Sequence, residues 1–275
     1  MRRVRDCFAR VSGSVLTGAF VLLLAATRTV PAQTAIPRAV MQQLSNQLRS
    51  DVPAIRECTS KSDFPFSARA VDLNGDDHSE YLLTSANDCE CGQVNCTHWV
   101  YRAHDQTFEL LLEANGYVLT AASTSHQGYR DLKTTSRNNA VSVDHVLYAF
   151  NGTRYQRRRS TIENLDTHEI KPTQQRLRFA RGASSATVSG AAALAFPDSW
   201  TFEARRGQLV TLSLQHTSGA NASFTVVGPD TDGARVLTDL QIRWSNRLPA
   251  DGQYTILVDA KGDGRAKYAL TVEIR

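Results

Sequence analysis

Apolar and polar residues alternate along much of this chain, and the alternation is cleanest near its end. Tyr254, Ile256 and Val258 fall on one face of an extended stretch, and Tyr268, Leu270, Val272 and Ile274 on one face of another. A period of two means one buried and one wet face. Between them lies Lys261-Gly262-Asp263-Gly264-Arg265-Ala266-Lys267, with two glycines, three cations and one acid. The pattern predicts a terminal hairpin, Leu248 to Arg275, with a cationic tip on a tight backbone. Similar short alternating runs recur from Arg176 onward, among them Trp200-Phe202-Ala204, Val210-Leu212-Leu214 and Leu240-Ile242-Trp244. Short strands separated by regular turns predict a β-sandwich over residues 176–275.

The pattern upstream is different. Pro37 to Ser50 carries Val40, Met41, Leu44 and Leu48 near a helical period, with Pro37 suited to the first turn. This predicts one helix capping the domain that follows. A weak internal repeat comes next: Tyr101 and Phe108 match Tyr148 and Tyr155 at one common offset. Residues 54–158 therefore read as two units of short antiparallel strands, too few to close a propeller. Arg157-Arg158-Arg159 and the polar run Ser160 to Thr173 read as a connector, placing a linker at 159–175 between domains at 33–158 and 176–275. The chain is expected to be mainly β: a small repeat-like β domain with one capping helix, followed by a C-terminal antiparallel β-sandwich.

Charge and cysteines add a compartment. Arg2, Arg3, Arg5 and Arg10 precede an apolar run, Val15 to Ala26, and Val30-Pro31-Ala32 has the small-x-small form of a cleavage site. Residues 1–32 are expected to be a signal peptide cleaved near Ala32, giving a periplasmic or secreted product without a membrane span. These residues hold five Arg and one Asp, so their removal takes the formal net charge from +4 to zero. Nothing in that balance calls for nucleic acid. Cys58, Cys89, Cys91 and Cys96 follow the cleavage site, and an even number in an exported chain favours disulfides over a four-cysteine zinc site. A Cys89–Cys91 bond would close a strained ring. Two arrangements remain: Cys58–Cys89 with Cys91–Cys96, which is preferred, and Cys58–Cys91 with Cys89–Cys96.

One loop has the composition of a cation site. In Val71-Asp72-Leu73-Asn74-Gly75-Asp76-Asp77-His78-Ser79-Glu80, oxygen-bearing side chains recur at Asp72, Asn74, Asp76 and Glu80, and His78 would contribute its carbonyl. Alternate residues of a tight loop point at one centre, which suits a hard cation such as calcium. The stretch resembles the calcium loop of FG-GAP repeats, with Asp77 where that pattern has glycine. No H-E-x-x-H, G-x-S-x-G or phosphate loop is present, and the seven histidines are scattered in contexts that read as surface. An enzyme is not expected.

The sandwich carries the more specific resemblance. Val188-Ser189-Gly190, Trp200-Thr201-Phe202-Glu203-Ala204, Gly207-Gln208, Gly228-Pro229, Leu248-Pro249-Ala250-Asp251-Gly252-Gln253-Tyr254 and Tyr268-Ala269-Leu270 follow in an order that resembles the bacterial pre-peptidase C-terminal sandwich. Within that superfamily the region is similar to periplasmic inhibitors of goose-type lysozyme. The resemblance implies that Lys261 and Arg265, with Asp263 between them, match two arginines that enter the lysozyme cleft. Lys at the first position keeps the charge and loses the planar fork. The function so implied is inhibition of lysozyme, goose type, by a basic loop entering an acidic catalytic cleft. The alternative is a calcium-stabilised module binding cell-wall glycan, with Trp200 and Trp244 as stacking platforms.

Overall fold

The computed structural model describes residues 35–58, 65–86, 90–105, 107–230 and 233–275. The expected signal segment and its cleavage site lie outside them. No helix among the described residues is long and apolar enough to cross a membrane.

The first domain has three layers. Helices α1 (Arg38–Asp51) and α2 (Pro53–Cys58) cover one face of a four-stranded antiparallel sheet of β1 (Phe66–Val71), β2 (Glu80–Ser85), β3 (Cys96–His104) and β4 (Thr107–Gly116). The other face of that sheet packs on a five-stranded antiparallel sheet of β5 (Val118–His126), β6 (Tyr129–Arg137), β7 (Ser142–Phe150), β8 (Tyr155–Asn164) and β9 (Ile170–Pro172). Period-two geometry sorts neighbouring apolar residues into different cores. Leu83, Trp99 and Tyr101 meet Leu44, Leu48 and Ile55 of the helices, while Leu82 and Val100 meet Leu132, Phe150 and Tyr155 of the second sheet. Burying each such large side chain contributes about 1.5–3 kcal/mol.

The repeat seen in the sequence is present in the backbone. Both sheets run in sequence order, and the pairing slips between Val100 and Tyr101 in β3 and between Leu147 and Tyr148 in β7, at the same offset as the aromatic matches. The same offset relates His98 to His145. Their Nδ1 atoms lie 2.9 Å from Thr84 Oγ1 and 3.1 Å from Thr135 Oγ1, each across the neighbouring strand.

The linker expected at 159–175 is replaced by strand. Arg159 to Asn164 continue β8, and Ile170 to Pro172 form β9. Pairing with β7 satisfies this backbone, and Ile162 and Asn164 are buried, while Arg157, Arg158 and Arg159 project to solvent. Charge on the wet side of a strand reads like a connector when taken alone. Only Thr173 and Gln174 separate β9 from the sandwich strand β10 (Gln175–Arg176).

The sandwich comprises β10, β11 (Ser185–Ala193), β12 (Asp198–Ala204), β13 (Leu209–Asp230), β14 (Gly233–Gln241), β15 (Arg243–Arg247) and β16 (Gly252–Ile274). Two very long strands organise it. β13 and β16, of 22 and 23 residues, pair antiparallel along nearly their whole lengths, from Val210↔Ile274 to Val227↔Thr255. The first half of β16 lies between β12 and β13, and its second half between β11 and β13. The terminal segment is therefore not the expected hairpin. Both edges of each half are taken by other strands, so the halves do not pair with one another. β16 is one strand that bends at 261–265 to pass from one layer to the other. Trp200, Phe202, Phe224, Ile256 and Val258 from one layer close the core with Leu212, Leu214, Leu270 and Val272 from the other.

Candidate functional site

The bend places the three candidate residues at an exposed corner. Gly262 and Gly264 adopt φ of 81° and 97°, and Lys261 to Arg265 are all exposed. An irregularity in one neighbouring strand and a turn in the other flank it. In β13 the pairing slips between Gly219 and Asn221, beside Lys261 and Ala266. A Cβ on Gly219, whose φ is +84°, would lie 2.0 Å from the Arg265 carbonyl oxygen, so only glycine permits this approach. On the other side Ala193 pairs with Arg265, and the turn from Ala193 to Phe196 presents Leu194, 56% exposed.

Arg265 is already engaged with a carboxylate. Its Nη1 donates to Glu169 Oε2 and its Nη2 to Glu169 Oε1 at 3.0 Å, and Nη2 also donates to the Ala191 carbonyl at 3.0 Å. This is the two-pronged fork that makes arginine selective for carboxylates. Each partner favours the charged form of the other: the hydrogen bonds from Arg265 hold the Glu169 carboxyl below the usual range, and Glu169 raises the guanidinium above its own. Glu169 lies in the turn between β8 and β9, within the segment expected to be a linker. Lys261 and Asp263 remain exposed at the same corner.

Behind the corner, a buried polar chain joins the two domains. Lys171 Nζ donates to Asp198 Oδ1 at 2.6 Å and to the Phe196 carbonyl at 3.0 Å, and sits 4.0 Å from the centre of the Phe196 ring. The other carboxylate oxygen of Asp198 accepts from the Tyr268 hydroxyl at 2.7 Å, and that hydroxyl accepts from Trp200 Nε1 at 2.8 Å. Gly190 makes room for this group: a Cβ there would fall 2.3 Å from Asp198 Oδ2 and 2.4 Å from the Tyr268 hydroxyl. Gly190, Trp200 and Tyr268, read as motif positions, thus serve one network. Asn139 Nδ2 and Ser142 Oγ of the first domain both donate to the Ala195 carbonyl, at 3.0 and 3.3 Å. Asp259 borders the same seam, its carboxyl pushed up by burial and drawn down by Lys171.

Glu169, Lys171 and Asp198 were not singled out from the sequence. None sits in a local motif, and the first two lay in a polar run. Ile170 is the one apolar residue between them, and it is 57% exposed, so this stretch carries no inward-facing pattern.

The acidic loop folds onto its own backbone. Asp72 Oδ1 accepts from the amides of Asn74 and Gly75 at 3.1 and 2.7 Å, and Oδ2 from that of Asp77 at 3.3 Å. Asn74 Oδ1 accepts from the Asp76 amide at 3.1 Å, Asp76 Oδ1 from the His78 amide at 2.8 Å, and buried Glu80 Oε2 from the Leu73 amide at 2.8 Å. Asn74 turns its NH2 toward Asp76 Oδ2 and the Tyr129 hydroxyl, at 2.8 and 3.0 Å. Burial pushes the Glu80 carboxyl up. Among the described residues no three His, Cys, Asp or Glu side chains converge as a metal cluster. As folded, the side-chain oxygens of Asp72, Asn74 and Asp76 cap the loop's own amides.

Cys91 and Cys96 form a disulfide, which excludes the pairings of Cys58 with Cys91 and of Cys89 with Cys96. Cys89 and the side chain of Cys58 lie outside the described residues. His98, expected at the surface, is buried, with Nε2 2.9 Å from the Gly116 carbonyl, and burial lowers its pKa. Trp200 is buried with its indole N–H used internally, which removes it as a stacking platform, and Trp244 is partly buried against the core.

No protein-family model matches the chain, and no curated protein matches it. Solved structures do. Over 38% of its length the chain is similar to Aeromonas hydrophila PliG, a periplasmic inhibitor of g-type lysozyme, at 28% identity, covering 96% of that chain with a TM-score of 0.32. It is similar to Salmonella Typhimurium PliG, an inhibitor of the same class, at 24% identity, over 38% of this chain and 100% of that one with a TM-score of 0.31. The pre-peptidase C-terminal domain of a Bacillus anthracis collagenase is similar over 37% of this chain and 93% of its own, at 16% identity and a TM-score of 0.27.

Proposed function

We propose that this protein is an exported inhibitor of lysozyme, the goose type foremost, that acts in the periplasm or outside the cell through the corner bearing Lys261, Asp263 and Arg265. The observation carrying the reading is the grip of Arg265 on a carboxylate at an exposed, strand-anchored corner. A lysozyme cleft holds acidic catalytic groups. A guanidinium that already forms a two-pronged carboxylate pair has the donor geometry to bind one of them, and Lys261 adds a second cation beside it. The corner belongs to two long paired strands, so little backbone freedom is lost on docking. Inhibition of this kind needs no catalytic group of its own. The sequence motifs shared with periplasmic inhibitors of goose-type lysozyme support the same reading.

The test is lysis of bacterial wall suspensions by goose-type, chicken-type and invertebrate-type lysozymes with the mature chain added. Selective protection against the goose type is expected. Equal lysis with and without the protein for all three enzymes overturns the reading.

A further inference from the structure

We infer that the first domain regulates the corner: Glu169 is a built-in competitor that occupies Arg265 until a lysozyme carboxylate displaces it. This rests on the function proposed above. The competing group has the chemistry of the target, since a carboxylate takes both prongs of the guanidinium. Its presentation is fixed independently of Arg265. The turn carrying Glu169 is closed by the Asn164 amide donating to the Glu169 carbonyl at 2.9 Å and by Asn164 Oδ1 accepting from the amides of Asp166 and Thr167 at 3.0 and 2.9 Å. Two residues further on, Lys171 is anchored on buried Asp198. The acid is thus held still while the long arginine side chain is the partner that can leave.

The pair is also poised to exchange. The Arg265 side chain is 44% exposed and that of Glu169 33%, so water reaches both. Exposed pairs of this kind are worth little individually, and an intramolecular carboxylate acts at an effective concentration near millimolar or above. The clasp therefore attenuates binding without abolishing it. Exposed Lys261 is left to make first contact with an acidic cleft.

The experiment uses the mature full chain as wild type, Glu169→Ala and Arg265→Ala, titrated into goose-type lysozyme on wall suspensions. In parallel, Arg265 modification by phenylglyoxal is followed by peptide mass. Glu169→Ala is expected to lower the concentration for half-inhibition about three- to fivefold and to speed modification of Arg265 by a similar factor. Arg265→Ala is expected to weaken inhibition. Unchanged or weaker inhibition by Glu169→Ala, with wild type active, overturns the competitor and leaves the inhibitor reading standing. Equal modification rates likewise overturn it. Inhibition by none of the three removes the reading and the regulation together.

Discussion

Lys171 of the first domain reaches into the sandwich and places its ammonium 2.6 Å from Asp198 Oδ1, in a pair whose side chains are only 12% and 5% exposed. Two charges so far from water survive because each is fully partnered: the ammonium also meets the Phe196 carbonyl and ring, and the carboxylate also accepts from Tyr268. Removing one partner strands the other. Lys171→Ala is expected to cost about 3–5 kcal/mol of unfolding free energy, whereas Lys171→Met with Asp198→Leu costs much less. Urea unfolding of the two variants measures this, and equal losses would show that the pair is not the seam's anchor.

Gly219 provides a second check on how the corner is built. Because a Cβ there would collide with the Arg265 carbonyl and its φ is +84°, Gly219→Ala is expected to lose about 1–3 kcal/mol and to displace the corner. Thermal unfolding reads the first effect, and weaker lysozyme inhibition the second. A variant as stable and as active as wild type would contradict the geometry.

The clasp also predicts a pH dependence. Arg265 lowers the Glu169 pKa in the folded chain, so the unfolded chain binds the proton more tightly. Its stabilising contribution is therefore complete above the unfolded glutamate value, about 4.3, and is lost as pH falls through the lower folded value. Titration of the Glu169 carboxyl by NMR should give a midpoint below that of an unfolded glutamate, rising to it in Arg265→Ala. A midpoint unmoved by that substitution would contradict the pair.

The acidic loop makes a negative prediction. Its oxygens are engaged by loop amides, so millimolar calcium is expected to leave the unfolding temperature unchanged. A rise of several degrees, absent in Asp76→Ala, would mean that the loop rebuilds around the ion.

What could be read in advance follows from the range of the interactions. Alternation marked Tyr254, Ile256, Val258, Tyr268, Leu270, Val272 and Ile274 as one inward face; the first six are buried and Ile274 is partly buried against the same core. The aromatic offset marked the two repeat units because each repeats a local strand pattern. The bend of β16 and a hairpin share one local signature, alternating residues on either side of a glycine-rich segment. The choice between them lies with β11, β12 and β13, which take the edges. Glu169 was hidden for the same reason: its contact with Arg265 spans 96 residues, and no local spacing reports it. His98 read as surface because its partners, Thr84 and the Gly116 carbonyl, come from neighbouring strands.

The most direct measurement is inhibition of goose-type lysozyme by the mature chain, set beside the double variant Lys261→Ala with Arg265→Ala. Truncating a charge desolvated in an interface costs about 2–5 kcal/mol, so half-inhibition should move by at least about 30-fold in the double variant while its fold persists. Inhibition that survives the double substitution unchanged would place the activity elsewhere on the molecule and contradict the account.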